Sequence, residues 1–562
     1  MPGAEHPVDE LSSLSRRFGT AEARRKAELL RGIAALRALS ARRIVLLHDT
    51  LYFMRAYPDN TTVLSTVQNA IAALRDGVDN YTGGDSQHYV FANTGIPGSC
   101  NTYAYSYAVL LRLVELFPGC LEIDWDGVAD ESVLGDALTL TIAAGEVRGL
   151  EDQYVSMREW LQDCKASASQ SDLETVLRMF RGSALDPRQQ EHVFETCALP
   201  VAYHLRAPGS GRCEVGVMPG TVFFQKRPIA RERFPLRPKI VRPLSPRRLL
   251  SPAAGRHLID IALAALCSRN LEIYPLIYAN PADVNVVECE RGVQVVLAGV
   301  LPEFRFALES ILFFTILKNG VPIAYGPANI FQGRCEMGIN LFPEFRGGEI
   351  RHIYAQFMRT LYHVAHVRYF FIVSYGMGEG NPEALRSGAF WFYRKLGFRA
   401  SNPDVETLAR KEEAIMRRNP RHRSPLRTLR ELSYTDAYFD LSGGTRKPLA
   451  IGSLGRAVSR YITARFNGDR QLAERKCTRD LVRQLDIHDY ATWTPAEKNA
   501  LKRLAPLLCL PAELASWPQR DKRKLARLLK AKGGRSELDY IDHVARLPRL
   551  EKVLVELACN DS

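Results

Sequence analysis

Arg346-Gly347-Gly348, set just before a long helical pattern, is the stretch of this chain best suited to hold an anion. The first turn of a helix carries unpaired backbone N–H groups and the positive end of the helix dipole, and small residues let a diphosphate reach them. Ile350 continues that turn and Arg351 adds a second cation. Glu349 stands in the middle of the set. Its carboxylate opposes a phosphate unless it turns away or pairs with Arg346 or Arg351, and a Glu at a helix start is also favoured for structural reasons alone. Glu336 lies on the strand pattern before the loop and Glu344 at that strand's end, and solvation is the simpler account of either carboxylate. Glu349-x-x-His352 and His363-x-x-His366 have helix-face spacing. A carboxylate-histidine metal centre draws ligands from several helices, and no matching partner sequence is present, so no metal is predicted. The chain has no Gly-x-Ser-x-Gly elbow and no Gly-x-x-x-x-Gly-Lys-Ser/Thr loop, which narrows the enzyme class.

A sheet and two helices are needed to position these residues. Residues 311–317 are apolar and rich in strand formers, Lys318-Asn319-Gly320 has turn chemistry, and 321–325 resumes the strand pattern, predicting a hairpin. Residues 335–342 read as another strand, the helical pattern opened by the Gly-Gly loop runs through His366, and 369–374 reads as a buried strand. The last piece is Ser387-Gly-Ala-Phe-Trp-Phe-Tyr-Arg-Lys-Leu-Gly-Phe398. Ala389, Phe390, Phe392, Tyr393 and Leu396 recur at the spacing of an amphipathic helix, Gly397 supplies the left-handed stop, and Phe398 begins the next strand.

From about Ala307 to Ala400, with a weaker extension back to Arg256, the chain resembles the GNAT superfamily of N-acetyltransferases. In that family an Arg/Gln-x-x-Gly-x-Gly/Ala loop binds the diphosphate of acyl-CoA, and a later helix ends in a Tyr-x-Lys-x-Gly-Phe-like stretch. Tyr393 to Phe398 meets the second motif. The first is degraded, with Glu349 where the motif has its first Gly and Arg351 where it has Gly or Ala. The resemblance implies an α/β GNAT-like domain that moves an acetyl or related acyl group from acetyl-CoA or another acyl-CoA to an amine. It implies that Tyr393 gives the departing thiolate its proton, that Glu336 serves as the base, and that Arg346, Gly347, Gly348, Ile350 and Arg351 hold the cofactor. A core tyrosine whose hydroxyl finds a backbone partner is the other reading of Tyr393. The family's Asn seven residues before the Tyr is replaced by Arg386. Asn381, five residues earlier, either reaches the cofactor or makes the turn before Pro382, and the turn fits its neighbours better.

With 562 residues, 46% of them hydrophobic and 24% charged, the chain has material for several cores. The expected plan is an α/β GNAT-like domain over 256–405 flanked by mostly α-helical regions at 1–205 and 447–562. Basic segments join them, a proline-rich linker or wrapping segment over 206–255 and a linker over 406–446. The first ten residues lack a basic-then-apolar pattern, no apolar run reaches bilayer length, and the 11 cysteines include no Cys-x-x-Cys pair, so a cytoplasmic location is expected and no membrane partner. The net charge of +13 gathers in tracts at 226–248, 410–430 and 520–535. They support an alternative, a catalytically inactive GNAT-like binding or scaffold protein that contacts nucleic acid, while a solvated basic surface explains the same tracts.

Overall fold

The computed structural model describes residues 6–33, 39–79, 81, 90–152, 154–229, 234–443 and 451–559, so the boundary expected at 446–447 falls outside them. The N-terminal region is mostly helical, as the patterning predicts, but it also holds a small antiparallel sheet that the sequence reading missed. Its strands are Cys100–Tyr103 (β1), Leu121–Ile123 (β2) and Val201–His204 (β3), in the order β1-β3-β2. Three or four residues are too few to display an alternating pattern. Tyr105 and Tyr107 are buried and donate to the carbonyls of Cys267 and Leu177.

The second sheet carries the residues of interest. Its strands are Arg248–Leu249 (β4), Ala279–Glu288 (β5), Val293–Val300 (β6), Ser310–Lys318 (β7), Val321–Phe331 (β8), Arg334–Met337 (β9), Asn340–Leu341 (β10), Tyr369–Ile372 (β11), Arg399–Ala400 (β12) and Ala437–Asp440 (β13). They run in the order β12-β13-β11-β9-β8-β7-β6-β5-β4, with β10 beside β8. Asn319 and Gly320 join β7 to β8 with φ of 50° and 77°, the left-handed pair that a two-residue hairpin requires. Gln332 and Gly333 repeat the device between β8 and β9 at 52° and 71°.

The strand expected over 335–342 is interrupted. Ala328 faces Met337 and Tyr325 faces Asn340, but the ladder lapses between them, where Pro327 has no N–H to offer. Gly326 lets the chains approach there, since a Cβ on it would stand 1.9 Å from the Gly338 carbonyl oxygen. On its other side β9 pairs in parallel with β11 from Arg334–Tyr369 to Glu336–Phe371. Helix Ile350–Val364 makes the crossover, with Tyr354, Phe357, Met358 and Leu361 on its buried side. Past Glu336 the two strands part: the chain at 340–341 stays with β8, whereas β11 runs into the short helix Ser374–Met377. The helix expected from Ala389 to Leu396 is present and stops at Gly397, and a separate short helix, Pro382–Ser387, precedes it and ends at Gly388, φ 70°.

The proline-rich segment wraps the domain. Its helix Leu236–Ile240 packs on the 350–364 helix, and its free carbonyls are taken by side chains: Arg351 donates to Phe234, Arg359 to Arg242 and Pro243. A segment without regular hydrogen bonds needs such donors when it is partly buried. One continuous apolar core joins the N-terminal helices to the sheet, and a second fills the C-terminal helices, reaching Leu308 and Phe331. A buried polar cluster fastens that bundle to the sheet. Glu537 accepts from Ser310 at 2.7 Å, lies 3.2 Å from Arg305 and 3.4 Å from Lys532, and its N–H donates to Asp283 at 2.8 Å.

Candidate functional site

The Gly-Gly loop is held from both sides. Arg16, from the N-terminal helices, donates to the carbonyls of Glu344 and Arg346, each at 2.9 Å, and Tyr52 sets its ring against Phe345. Glu344 is buried between Arg212 at 2.9 Å and Arg269 at 3.7 Å, which commits its carboxylate to structure. Gly347 takes φ 77°, and Glu349 caps the 350–364 helix without a side-chain capping bond. Its carboxylate turns inward. It pairs with Arg291 and lies 3.5 Å from Lys318 Nζ, not with Arg346 or Arg351 as expected from their proximity in sequence. Burial draws the Lys318 ammonium down to about 8 against the pull of Glu349, and Lys318 also donates to the Arg291 carbonyl at 2.6 Å. The rings of Tyr57 and Phe223 enclose this ammonium at 4.7 and 4.9 Å.

Arg346 and Arg351 are similarly engaged. The first pairs with Glu383 at 2.7 Å, and the second donates at 2.7 Å to the carbonyl of Lys395, bridging the helix starting at Ile350 to the end of the one carrying Tyr393. Ile350 is half-buried beside them. Asn381 caps the 382–387 helix, accepting from the Ala384 N–H at 3.1 Å, in accord with the turn reading. Arg346, Gly347, Gly348, Ile350 and Arg351 are thus gathered at one helix start, and the Arg346–Glu383 pair brings the Asn381 turn alongside. The three histidines of the helix-face spacing are dispersed: His352 faces Gln356, His363 the Arg242 carbonyl and His366 Asp542.

Tyr393 and Glu336 have separate neighbours. The Tyr393 hydroxyl is 3.1 Å from that of Tyr354, and Phe392 and Phe398 stand edge-on to its ring. Burial pushes both phenols up, so each holds its proton tightly. The partner is a side chain, where a backbone group had been expected. Glu336 is half-buried on β9; burial raises its carboxyl and the nearby Asp436 adds to the rise, against a hydrogen bond from Asn329.

Beyond the carboxyl end of β11 lies a cavity of about 360 Å³ that the strand and loop motifs did not identify. Asn381, Arg386, Arg430 and Tyr434 line it, and Glu379 and Tyr434 continue into an open cleft of about 500 Å³. Its sequence signals were Asn381 and Arg386, the latter at the spacing from Tyr393 where an Asn was expected. Among the described residues, fold and site together define a mixed α/β protein with one parallel strand pair crossed over by a helix, and none of their helices is long and apolar enough to cross a membrane. No protein-family model, no curated protein and no solved structure matches the chain.

Proposed function

We propose that the protein is a binding or scaffold protein built on a GNAT-like domain that has lost thioester turnover. The observation that carries this reading is the buried Glu349, paired with Arg291 and Lys318 in the first turn of the 350–364 helix. Glu349 takes up Arg291 and Lys318, Arg346 is paired with Glu383 and Arg351 with the carbonyls of Phe234 and Lys395, so the cations at this helix start are already engaged within the chain. Arg351 supports the same reading: its guanidinium fills the space between the two helices where the family motif has a residue with little or no side chain. The partner we assign is a nucleic-acid backbone, and the surface is helix Gln519–Lys532, where exposed Arg520, Arg523 and Arg527 share a face and make no hydrogen bond or ion pair among the described residues. The cations of 226–248 are less suited to it, since Arg237 and Arg242 are engaged within the chain.

Calorimetry with dephospho-CoA, which keeps the diphosphate and pantetheine arm, tests the loop directly. No heat is expected, and saturable binding weakened by Arg346→Ala would overturn the reading. Acyl transfer from an acyl-CoA to an amine is the second reading, favoured by the parting of β9 and β11 beside the Tyr393 helix. It requires thiol release that Tyr393→Phe lowers more than it lowers cofactor binding.

A further inference from the structure

The cavity beyond β11 has the makings of a ligand site that is separate from the loop at 346–351. Its walls are the turn Gly378–Asn381, the 382–387 helix and the helix Leu426–Ser433. Gly378 and Gly380, at φ 124° and 65°, fold the turn so that Glu379 stands on the rim. Arg386 and Arg430 both line the cavity, and among the described residues neither guanidinium makes a hydrogen bond or an ion pair. The contrast with adjacent arginines is sharp: Arg346 is paired with Glu383, and Arg394 is held by Glu406 and Glu413. Two of the local carboxylates are occupied elsewhere, while Glu379 lines the same cavity and makes no ion pair among the described residues. Glu412 accepts from Ser424 and stands 3.0 Å from His422, and Glu413 is bound to Arg394. Besides Glu379 the rim carries Leu426 and Tyr434, 47% and 60% exposed.

Two planar guanidinium forks on one cavity offer a dianion parallel N–H donors, and their two charges outweigh the single one of Glu379. A phosphomonoester carries nearly two charges at neutral pH, whereas a carboxylate carries one and leaves a fork idle. Leu426 and Tyr434 provide a surface for an apolar or aromatic body attached to that phosphate, and the cavity is of the size that encloses a small organic molecule. We propose that this cavity binds a small phosphomonoester, its phosphate on Arg386 and Arg430 and its apolar body against Leu426 and Tyr434. The proposal does not rest on either reading of the Gly-Gly loop, and the two sites are told apart by their variants: Arg346→Ala for dephospho-CoA at the loop, Arg386→Ala with Arg430→Ala for phenyl phosphate here.

The experiment is calorimetry on the full chain with phenyl phosphate, benzoate and inorganic phosphate as probes. Phenyl phosphate is expected to bind saturably at one site and more tightly than either of the others. Arg386→Ala with Arg430→Ala should weaken it by about tenfold or more. The same pair changed to Lys should retain part of the affinity, and the unliganded melting temperature should be unchanged in both variants because the side chains are exposed and unpartnered. Tyr434→Ala should narrow the advantage of phenyl phosphate over inorganic phosphate. Absence of heat at millimolar phenyl phosphate would overturn the proposal, as would equal binding by the double alanine variant. Benzoate binding as tightly as phenyl phosphate would overturn the assignment to a phosphomonoester.

Discussion

Glu349→Gln removes the charge facing Lys318 while keeping the size of the side chain. Both side chains are fully buried and their charged atoms lie 3.5 Å apart, and breaking such a pair from one side ordinarily costs about 3–5 kcal/mol. Lys318 sets a lower ceiling at neutral pH. With Glu349 in place its ammonium titrates at about 8, so at pH 7 only about 1.4 kcal/mol separates its charged and neutral forms. Once the carboxylate is gone the lysine can shed its proton, and its share of the cost stops near that value. The ceiling rises as the pH falls. In the variant the folded state holds Lys318 neutral while the unfolded chain binds the proton, so stability drops by about 1.4 kcal/mol for each pH unit downward. In the wild type below pH 8 the lysine is protonated in both states and adds no slope. The gap between the two proteins should therefore widen to about 4 kcal/mol near pH 5. Urea denaturation followed by circular dichroism from about pH 5 to pH 8 measures it. Adding Lys318→Met to the variant should abolish the extra slope. Parallel stability curves for wild type and Glu349→Gln over that range would refute the assignment of Glu349 as the buried counter-ion of Lys318.

Three further outcomes follow from the same structure. Tyr393→Phe should cost about 1–2 kcal/mol in denaturant unfolding, because it strands the buried Tyr354 hydroxyl, and Tyr354→Phe together with Tyr393→Phe should cost less than the sum of the two. Asp283 is raised by burial to about 6, so its contribution to stability is full below its unfolded value of about 3.9 and is lost as the pH rises through 6. Asp283→Asn should accordingly gain about 3 kcal/mol on the wild type across that interval, measured as the pH dependence of unfolding. Gly326→Ala would drive a methyl group into the Gly338 carbonyl, and a loss of about 3 kcal/mol or more in the unfolding free energy is expected.

The hairpin at Asn319-Gly320, the 350–364 helix, β11 and the Tyr393 helix were legible because each announces itself locally. Turn residues, a 3.6-residue apolar period and a short run of strand formers are properties of a few neighbours. The small sheet at Cys100–Tyr103, Leu121–Ile123 and Val201–His204 was hidden for the converse reason, since strands of that length acquire meaning only when a distant partner pairs with them. Composition likewise showed that 226–248 was irregular and basic, but the 350–364 helix had to be in place before its carbonyls could be seen as acceptors for Arg351 and Arg359.

At the site, the sequence by itself determined which chemical groups converge: the Gly-Gly loop, its two arginines, the intrusive Glu349 and the Tyr393 helix lie in one contiguous stretch whose order fixes their approximate neighbourhood. It did not determine what each group faces. Glu349 had Arg346 and Arg351 within reach along the chain, yet its charge is met by Arg291 and Lys318, which arrive from the β6 and β7 ends. Tyr393 was assigned an acid's role by the family resemblance, and only the fold shows that its hydroxyl stands 3.1 Å from that of Tyr354. Arg386 and Arg430, separated by more than forty residues, acquire a common cavity only when the 382–387 and 426–433 helices pack. Charge and hydrogen-bonding capacity belong to a residue, but burial and the identity of the partner belong to the fold, and burial decides whether a carboxylate is a ligand, a catalyst or a structural counter-ion.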